Sequence, residues 1–403
     1  MQRVVAPVIP SGDIDGRKYW NPRAGHLSSP AAPRRVIVFA TGISGSGRLD
    51  YVEAAAAESG GRLKVVDVGR RMFEKSAELG IQIPEGKILD MDPFALDYLR
   101  AVTFEELLKE AERYRGPDSP EDLVISTHVC FRWKKHLVPA FNLYYLNRID
   151  PDVYVTVVDN AHAIKARLER TQWRGRLKLK DILVWRDEET FITEILAAYR
   201  RKPFYIIARR EPPSLLLDIL YRVEKRRLRG EEPALKAYLS YPITHVLSEP
   251  EHFKMKDEVK EALRRAGVIV FDPITIDEAA LVGLAESAQR GGADSFEVEA
   301  DGYRLKLDVQ EVLDARGDII DQIVARDYKL IDQSDVIVVF YPTTAVSPGV
   351  LNEIHYGFTH NKDVYAIFPH EVRSPFFEYY TTRVFRSHEE LIEYLAASGK
   401  LKR

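Results

Sequence analysis

The sequence predicts an α/β protein built from two doubly wound domains. Short apolar runs alternate with amphipathic helical stretches along most of the chain, which favours parallel sheets covered by helices on both faces. The alternation stops once, at a charged run over residues 222–236 that a glycine and a proline break, and then starts again. With 403 residues, the chain is also too long for one ordinary domain. We therefore expect an arm at 1–33, a first domain at 34–225 and a second domain at 236–403.

Composition limits the classes of partner. The net charge is −3, so no overall charge attracts the protein to nucleic acid or to anionic membranes. No apolar run approaches the roughly 20 residues that span a bilayer, and the arm, rich in Pro, Gly, Ser and Arg, has no apolar signal core. Cys130 is the only cysteine, which excludes an internal disulfide, and we expect it to be a small buried hydrophobe. We therefore expect a cytoplasmic protein that binds a small molecule, with no nucleic-acid or membrane partner.

The first domain is expected to begin with a buried strand, a glycine-rich turn and a helix. The strand is predicted at 36–41 and the helix at 50–59. Further apolar runs predicted as strands lie at 63–68, 123–127, 153–158 and 204–208.

The second domain repeats the alternation. Strands are predicted at 237–243, 268–273, 336–342 and 364–369, and helices at 251–267 and 388–398. The long stretch from 273 to 332 is predicted to be partly helical. Just before this domain, a basic cluster is expected to be a solvated helix end rather than a nucleic-acid site; its members are Lys225, Arg226, Arg227 and Arg229.

The glycine-rich turn, TGISGSGRL at 41–49, lies where a phosphate-binding loop should be. Gly42 and Gly47 have the spacing of such a loop, and with Gly45 they leave backbone N–H groups free to surround phosphates. Arg48 stands where a lysine is usual, and Leu49 replaces the Ser or Thr that holds Mg²⁺. We expect Gly42, Gly45, Gly47 and Arg48 to bind ATP or another nucleotide, without the usual metal ligand.

Residues 34–220 resemble the adenylate-kinase-like nucleotide kinases. The resemblance rests on this loop and on the segments at 65–81, 123–133, 157–176 and 185–190. Ser126 stands where the family usually has an Asp. Because Leu49 and Ser126 both remove metal-handling groups, the resemblance implies a binding, regulatory or scaffold domain, and an active kinase ranks last.

Three arginines of the lid-like region leave two alternatives open. If the family's arrangement holds, Arg167, Arg170 and Arg186 face phosphates. Otherwise they are exposed arginines of helices.

The richest segment for chemistry runs from Asp327 to Glu353. Ser347 is a natural N-cap, Pro348 suits the first helical position, and Gly349 leaves the backbone open to a ligand. Glu353 follows Ser347 by six residues, about 9 Å along a helix axis. Cleavage of an N-glycosidic bond needs a carboxylate beneath the anomeric carbon and a second acid for the departing base. A nucleoside 5′-monophosphate fits this spacing, with its phosphate at the helix start and its glycosidic carbon near the carboxylate.

Residues 236–400 resemble the nucleoside 2-deoxyribosyltransferase superfamily. The motifs are AYLSYPI, RDYKLIDQSDVIVVF and SPGVLNEIHYGFTHNKDVYAIF. The resemblance implies that Glu353 is the nucleophile, Asp327 the second acid and Tyr238 a substrate contact. Ser347 replaces the Asp of the classical transferases, and the nucleoside 5′-monophosphate N-glycosidase branch has the same Ser. The alternatives are that Asp327 is a surface carboxylate and that Tyr238 only packs.

The expected function is hydrolysis of the N-glycosidic bond of (deoxy)nucleoside 5′-monophosphates. Catalysis is expected at Glu353 and Asp327, and substrate binding at Tyr238, Ser347 and Gly349. No metal or cofactor is expected for the cleavage, since the sequence contains no metal-binding motif. The alternatives are base exchange between deoxynucleosides and a nucleotide-sensing scaffold without catalysis. The resembled family also implies a homo-oligomer.

Overall fold

Two five-stranded parallel sheets organise the chain. A computed structural model describes residues 35–401 apart from 85–86, 117–120, 134–135, 244–245, 247–248, 277 and 372–373. The predicted arm at 1–33 lies outside these residues. The described residues from Arg35 onward form one compact unit. The fold class predicted from the sequence, α/β with two doubly wound sheets, is confirmed. The division at 225 and 236 stays a prediction.

The first sheet has the strand order β2-β3-β1-β6-β7. Its strands are β1 (Ile37–Thr41), β2 (Leu63–Asp67), β3 (Asp122–Ser126), β6 (Val153–Val158) and β7 (Phe204–Ala208), and β4 (Cys130–Trp133) with β5 (His136–Pro139) forms a small antiparallel ribbon. The surrounding helices are α1 (Arg48–Glu58), α2 (Val68–Glu78), α3 (Pro93–Arg115), α4 (Leu143–Ile149), α5 (Ala161–Leu168), α6 (Leu179–Arg200), α7 (Ser214–Asp218), a π-helix (Ile219–Glu224) and α8 (Lys225–Leu228). Every described residue of β1, β3 and β6 is buried, as expected for central strands of a sheet covered on both faces.

The second sheet has the order β14-β13-β12-β8-β9. Its strands are β8 (Lys236–Ser240), β9 (Ile269–Phe271), β12 (Val336–Phe340), β13 (Asp363–Ile367) and β14 (Arg383–Phe385). Its helices are α9 (Pro250–Arg265), α10 (Ala279–Arg290), α11 (Val309–Asp314), α12 (Arg316–Asp332), α13 (Pro348–Thr359), α14 (Pro375–Tyr380) and α15 (His388–Ala397). Connections run to opposite sides from β8 and β12, so the strand order reverses between these two strands. Open α/β sheets bind ligands at such a point.

An antiparallel hairpin in the second half was not predicted. It consists of β10 (Ser295–Ala300) and β11 (Tyr303–Asp308), within the stretch predicted to be partly helical. Asp301 and Gly302 form its two-residue turn, with φ of 50° and 75°. An Asp-Gly pair between alternating polar and apolar residues is a strong hairpin signal, so the sequence did contain this information.

The helical segment after β7 packs between the two halves. Leu216, Ile219 and Val223 of this segment belong to one buried cluster with Tyr238 and Ile269 of the second sheet. The expectation that the basic cluster is a solvated helix end is wrong for Lys225. That side chain is buried, and its Nζ lies 2.9 Å from the Asp122 carboxylate. The buried Asp122 carboxylate provides Lys225 with a charge partner inside the protein, whereas Arg227 and Arg229 are exposed as expected.

Candidate functional site

Helix α13 carries Glu353 towards the sheet. Its buried face contains Val350, Ile354 and Gly357. A Cβ atom on Gly357 would lie 2.5 Å from Ile337 Cδ1, so the missing side chain lets the helix approach β12 closely. Glu353 lies one turn before Gly357, and positions four apart share a helix face. The close approach therefore directs the Glu353 carboxylate into the interior.

Two hydroxyl groups of β8 hold this carboxylate. The Tyr238 hydroxyl donates to Glu353 Oε1 at 2.8 Å, and the Ser240 hydroxyl donates to Oε2. Tyr238 and Ser240 share one face of β8, since side chains alternate along a strand. β8 is a strand at which the sheet order reverses. The structure thus brings the predicted Tyr238 and Glu353 together and adds Ser240, which the sequence reasoning missed although the two-residue spacing pointed to it.

Asp327 is the second carboxylate of this region. It lies on α12, its side chain is 13% exposed, and its Oδ1 is buried without a hydrogen-bond partner among the described residues. The alternative of a plain surface carboxylate is therefore disfavoured. Burial raises the pKa of Asp327 to about 6, although the positive charge of Arg326 lowers it.

Asp327 and Glu353, the carboxylate pair, affect each other electrostatically. Burial and the charge of Asp327 raise the pKa of Glu353 to about 8, although the hydrogen bonds from Ser240 and Tyr238 lower it. Between about pH 6 and pH 8 the pair therefore holds one proton, which rests on Glu353, the group with the higher pKa. One protonated and one ionised carboxyl is the state that acid-assisted cleavage of a glycosidic bond requires.

Ser347 and Gly349 begin α13 as predicted from their residue types. Tyr341 fixes the preceding turn, because its hydroxyl accepts a hydrogen bond from the Ser347 N–H at 2.8 Å and donates to the Ala345 carbonyl at 2.7 Å. The Ser347 side chain makes no capping hydrogen bond. Gly349 is exposed, and a Cβ atom there would meet nothing within 4 Å. Packing therefore does not require either residue type, and phosphate binding by them stays a prediction.

A buried ionised group lies at the end of the neighbouring strand β9. Asp272 accepts a hydrogen bond from the Tyr241 hydroxyl at 2.7 Å and lies 2.9 Å from Lys260 Nζ. Burial alone would raise the pKa of Asp272, but Lys260 and Lys256 lower it. This fully partnered group supports the strand ends structurally.

In the first half, Arg48 turns into the glycine loop. Its Nη1 donates to the Gly42 carbonyl at 2.9 Å, and its Nε donates to the Ser126 hydroxyl at 2.8 Å. Burial lowers the pKa of Arg48. Two of the three departures from the kinase pattern, Arg48 and Ser126, therefore contact each other directly and tie the loop to the end of β3. Leu49 packs against the core.

The loop backbone is also held by a buried carboxylate. Glu189 of α6 accepts hydrogen bonds from the Gly42 N–H at 3.1 Å and the Cys130 N–H at 2.9 Å. Gly45 and Gly47 have φ of 79° and 73°, in the left-handed region that favours glycine. Cys130 is buried, as predicted. Nucleotide binding by Gly42, Gly45, Gly47 and Arg48 stays a prediction.

The lid-like arginines contact the second half of the chain. Arg186 is buried and pairs with Glu278 through two hydrogen bonds of 2.6 and 2.9 Å. The Arg170 guanidinium lies 3.9 Å from the centre of the Tyr303 ring. Arg186 is thus neither exposed nor free for a phosphate. Its long-range pairing had no signal in the sequence.

Within the part of the chain that the structure describes, no cluster of three or more His, Cys, Asp or Glu side chains is arranged to hold a metal ion. Nor does any helix in these ranges combine the length and apolar character needed to cross a membrane.

Comparisons with known proteins give little on function. No protein-family model matches the chain, and no curated protein matches it. Among solved structures, a sugar kinase from a Janibacter species matches at 15% identity and TM-score 0.27, covering 46% of this chain and 92% of that one. A gluconokinase from Sinorhizobium meliloti matches at 14% identity and TM-score 0.26, covering 49% and 95%. Likeness at this level does not bear on what the chain binds or catalyses.

Proposed function

We propose that the second half of the chain hydrolyses the N-glycosidic bond of nucleoside or deoxynucleoside 5′-monophosphates. The observation that carries this proposal is the Glu353 carboxylate, held by Tyr238 and Ser240 beside Asp327 where the strand order reverses. The resemblance to the nucleoside 2-deoxyribosyltransferase superfamily supports the same residues. The first half acts as a nucleotide-binding domain of regulatory or structural role.

The chemistry follows from the carboxylate pair. Glu353 has the higher pKa of the pair and holds its proton at rest, so the reaction proceeds from the form in which this proton has moved to Asp327. Ionised Glu353 then stabilises positive charge on the anomeric carbon or bonds to it, while the bond to the base nitrogen breaks and its electron pair stays on the base. Asp327 donates a proton to that nitrogen. Water then supplies a hydroxyl to the anomeric carbon and returns a proton to the pair, so sugar phosphate and base are the products. The donors Tyr238 and Ser240 favour the ionised form of Glu353.

Direct measurement of base release tests the proposal. Nucleoside and deoxynucleoside 5′-monophosphates are incubated with the protein, and free base is separated by liquid chromatography. We expect release by the wild type and a loss of at least about 100-fold with Glu353→Ala, as is usual when a catalytic carboxylate is removed. Glu393→Ala, which removes an exposed glutamate of α15, is the matched control. Equal release by the wild type and Glu353→Ala would refute the assignment.

A second comparison separates hydrolysis from base exchange. Nucleosides and their 5′-monophosphates are compared as donors, with and without a free acceptor base. A carboxylate at the start of α13 repels a phosphate, whereas a hydroxyl donates a hydrogen bond to it. We therefore expect Ser347→Asp to weaken the use of monophosphates and to spare unphosphorylated donors. A wild type that prefers unphosphorylated donors and transfers their base would favour the exchange reaction. Homo-oligomeric assembly and cytoplasmic location stay predictions.

A further inference from the structure

The turn of the β10–β11 hairpin contacts the glycine loop region of the first half. In this turn, the Oδ2 atom of Asp301 lies 2.8 Å from Arg167 Nε and 3.2 Å from Arg209 Nη1. One carboxylate from the second half therefore meets two guanidinium groups of the first. In the same hairpin, the ring of Tyr303, two residues after Asp301, lies against the Arg170 guanidinium.

Both arginines lie directly on the glycine loop. Arg167 donates a hydrogen bond to the Gly45 carbonyl. Arg209 covers Gly47, where a Cβ atom would lie 2.0 Å from Arg209 Nε. Gly47 is the N-cap residue of α1 and has no side chain to accept the helix's first N–H groups. Two guanidinium groups and the N-terminus of α1 therefore lie together where Asp301 contacts the first half.

Two carboxylates of the first half also lie near these guanidinium groups. Asp159, buried at the end of β6, pairs with Arg167 and lies 3.8 Å from Arg209, and Asp50, whose side chain is 73% exposed, also lies 3.8 Å from Arg209. Because Asp50 is largely in solvent and further away, the partly exposed Asp301, at 3.2 Å, is the closer charge partner of Arg209. In addition, both side-chain amide atoms of Asn160 are buried and have no hydrogen-bond partner among the described residues. Buried amides of this kind normally bond to water or a ligand.

We propose that Asp301 is an internal counter-anion that competes with a phosphoryl anion, such as the end of a nucleoside triphosphate, for Arg167 and Arg209. Docking of the hairpin turn and binding of the anion then exclude each other. Arginine pairs carboxylates and phosphates with the same planar geometry, so either can satisfy the two guanidinium groups. The proposal concerns the first half and does not depend on base release by the second.

Binding of inorganic triphosphate and of ATP to the full chain tests this competition. Asp301→Asn removes the charge and keeps a residue type that tolerates the left-handed turn conformation. We expect it to tighten binding about 2- to 5-fold, the range of a partly exposed ion pair. Glu299→Gln makes the same charge change at an exposed position of the same hairpin, and binding should not change. Triphosphate and ATP together distinguish simple anion binding from recognition of the nucleoside.

Further variants locate the anion. Adding Arg209→Gln to Asp301→Asn is expected to abolish the gain, and hydrogen exchange of residues 295–308 in the wild type is expected to speed up when triphosphate binds. Equal affinities of wild type and Asp301→Asn, an equal gain with Glu299→Gln, a gain that survives loss of Arg209, unchanged exchange, or no binding by any variant would each overturn the proposal. Thermal unfolding of each variant checks that it is folded.

Discussion

The sharpest stability prediction concerns Glu353→Gln. The substitution keeps the shape of the side chain and an acceptor for the hydroxyls of Tyr238 and Ser240, but removes the group that ionises. Burial and Asp327 raise the pKa of Glu353 from 4.5 to about 8. One pKa unit corresponds to about 1.4 kcal/mol, so ionising Glu353 in the folded protein costs up to about 5 kcal/mol relative to the unfolded chain.

The direction of the pH effect follows from this raised pKa. The stabilisation from protonated Glu353 is fully present below pH 4.5 and is lost as pH rises through about 8. The wild type therefore loses stability relative to Glu353→Gln over this window. At pH 5 the two proteins should unfold at similar temperatures, or the wild type slightly higher. At pH 9 the variant should be more stable, by an amount approaching about 5 kcal/mol.

Thermal and urea unfolding of the full chain at pH 5, 7 and 9 and constant ionic strength measure this difference. Glu393→Gln, at an exposed helix position, is the matched control and should shift stability equally at all three pH values. A difference between wild type and Glu353→Gln that does not change with pH would refute the reasoning. A difference that grows towards acid would refute its sign.

Three further predictions concern the site and its support. The rate of base release should be bell-shaped with pH, with limbs near 6 and 8 set by the carboxylate pair, and a flat kcat/KM profile from pH 5 to 9 would contradict this. Arg186→Met should destabilise by about 3–5 kcal/mol because it leaves the Glu278 carboxylate buried and unpaired, and adding Glu278→Gln should recover part of the loss in Tm. Gly357→Ala should destabilise by about 1–3 kcal/mol through the clash with Ile337, whereas Gly283→Ala, in open space on α10, should stabilise by about 0.5–1 kcal/mol; equal shifts in urea unfolding would contradict the packing argument.

Most strands were predictable because central parallel strands are continuous apolar runs. The run at 153–158 coincides with β6, Val153–Val158. The run at 237–243 extends beyond β8, which ends at Ser240. Tyr241 is still buried, but it no longer pairs with a neighbouring strand, so apolar character continues past the ladder. Strand ends depend on partners that a single sequence does not reveal.

The site was predictable in part for a related reason. One turn-and-helix segment contains Glu353, Ser347 and Gly349, so their relative positions follow from local spacing. Tyr238 was predicted only because residues 236–400 resemble a known superfamily. The contact of Ser240 with Glu353 joins positions 113 apart in the sequence. Local spacing cannot report which hydroxyls reach a carboxylate across a sheet.

Sequence alone determined the α/β class, the glycine loop without its metal ligand and the turn that starts α13, since each depends on neighbouring residues. Tertiary structure decided what those parts contact. Arg48 and Ser126, 78 positions apart, share a hydrogen bond, and Asp301 reaches Arg167 from the other half of the chain. Charge pairs of this kind depend on how two sheets pack, and packing energy is spread over many apolar residues that carry no local signal.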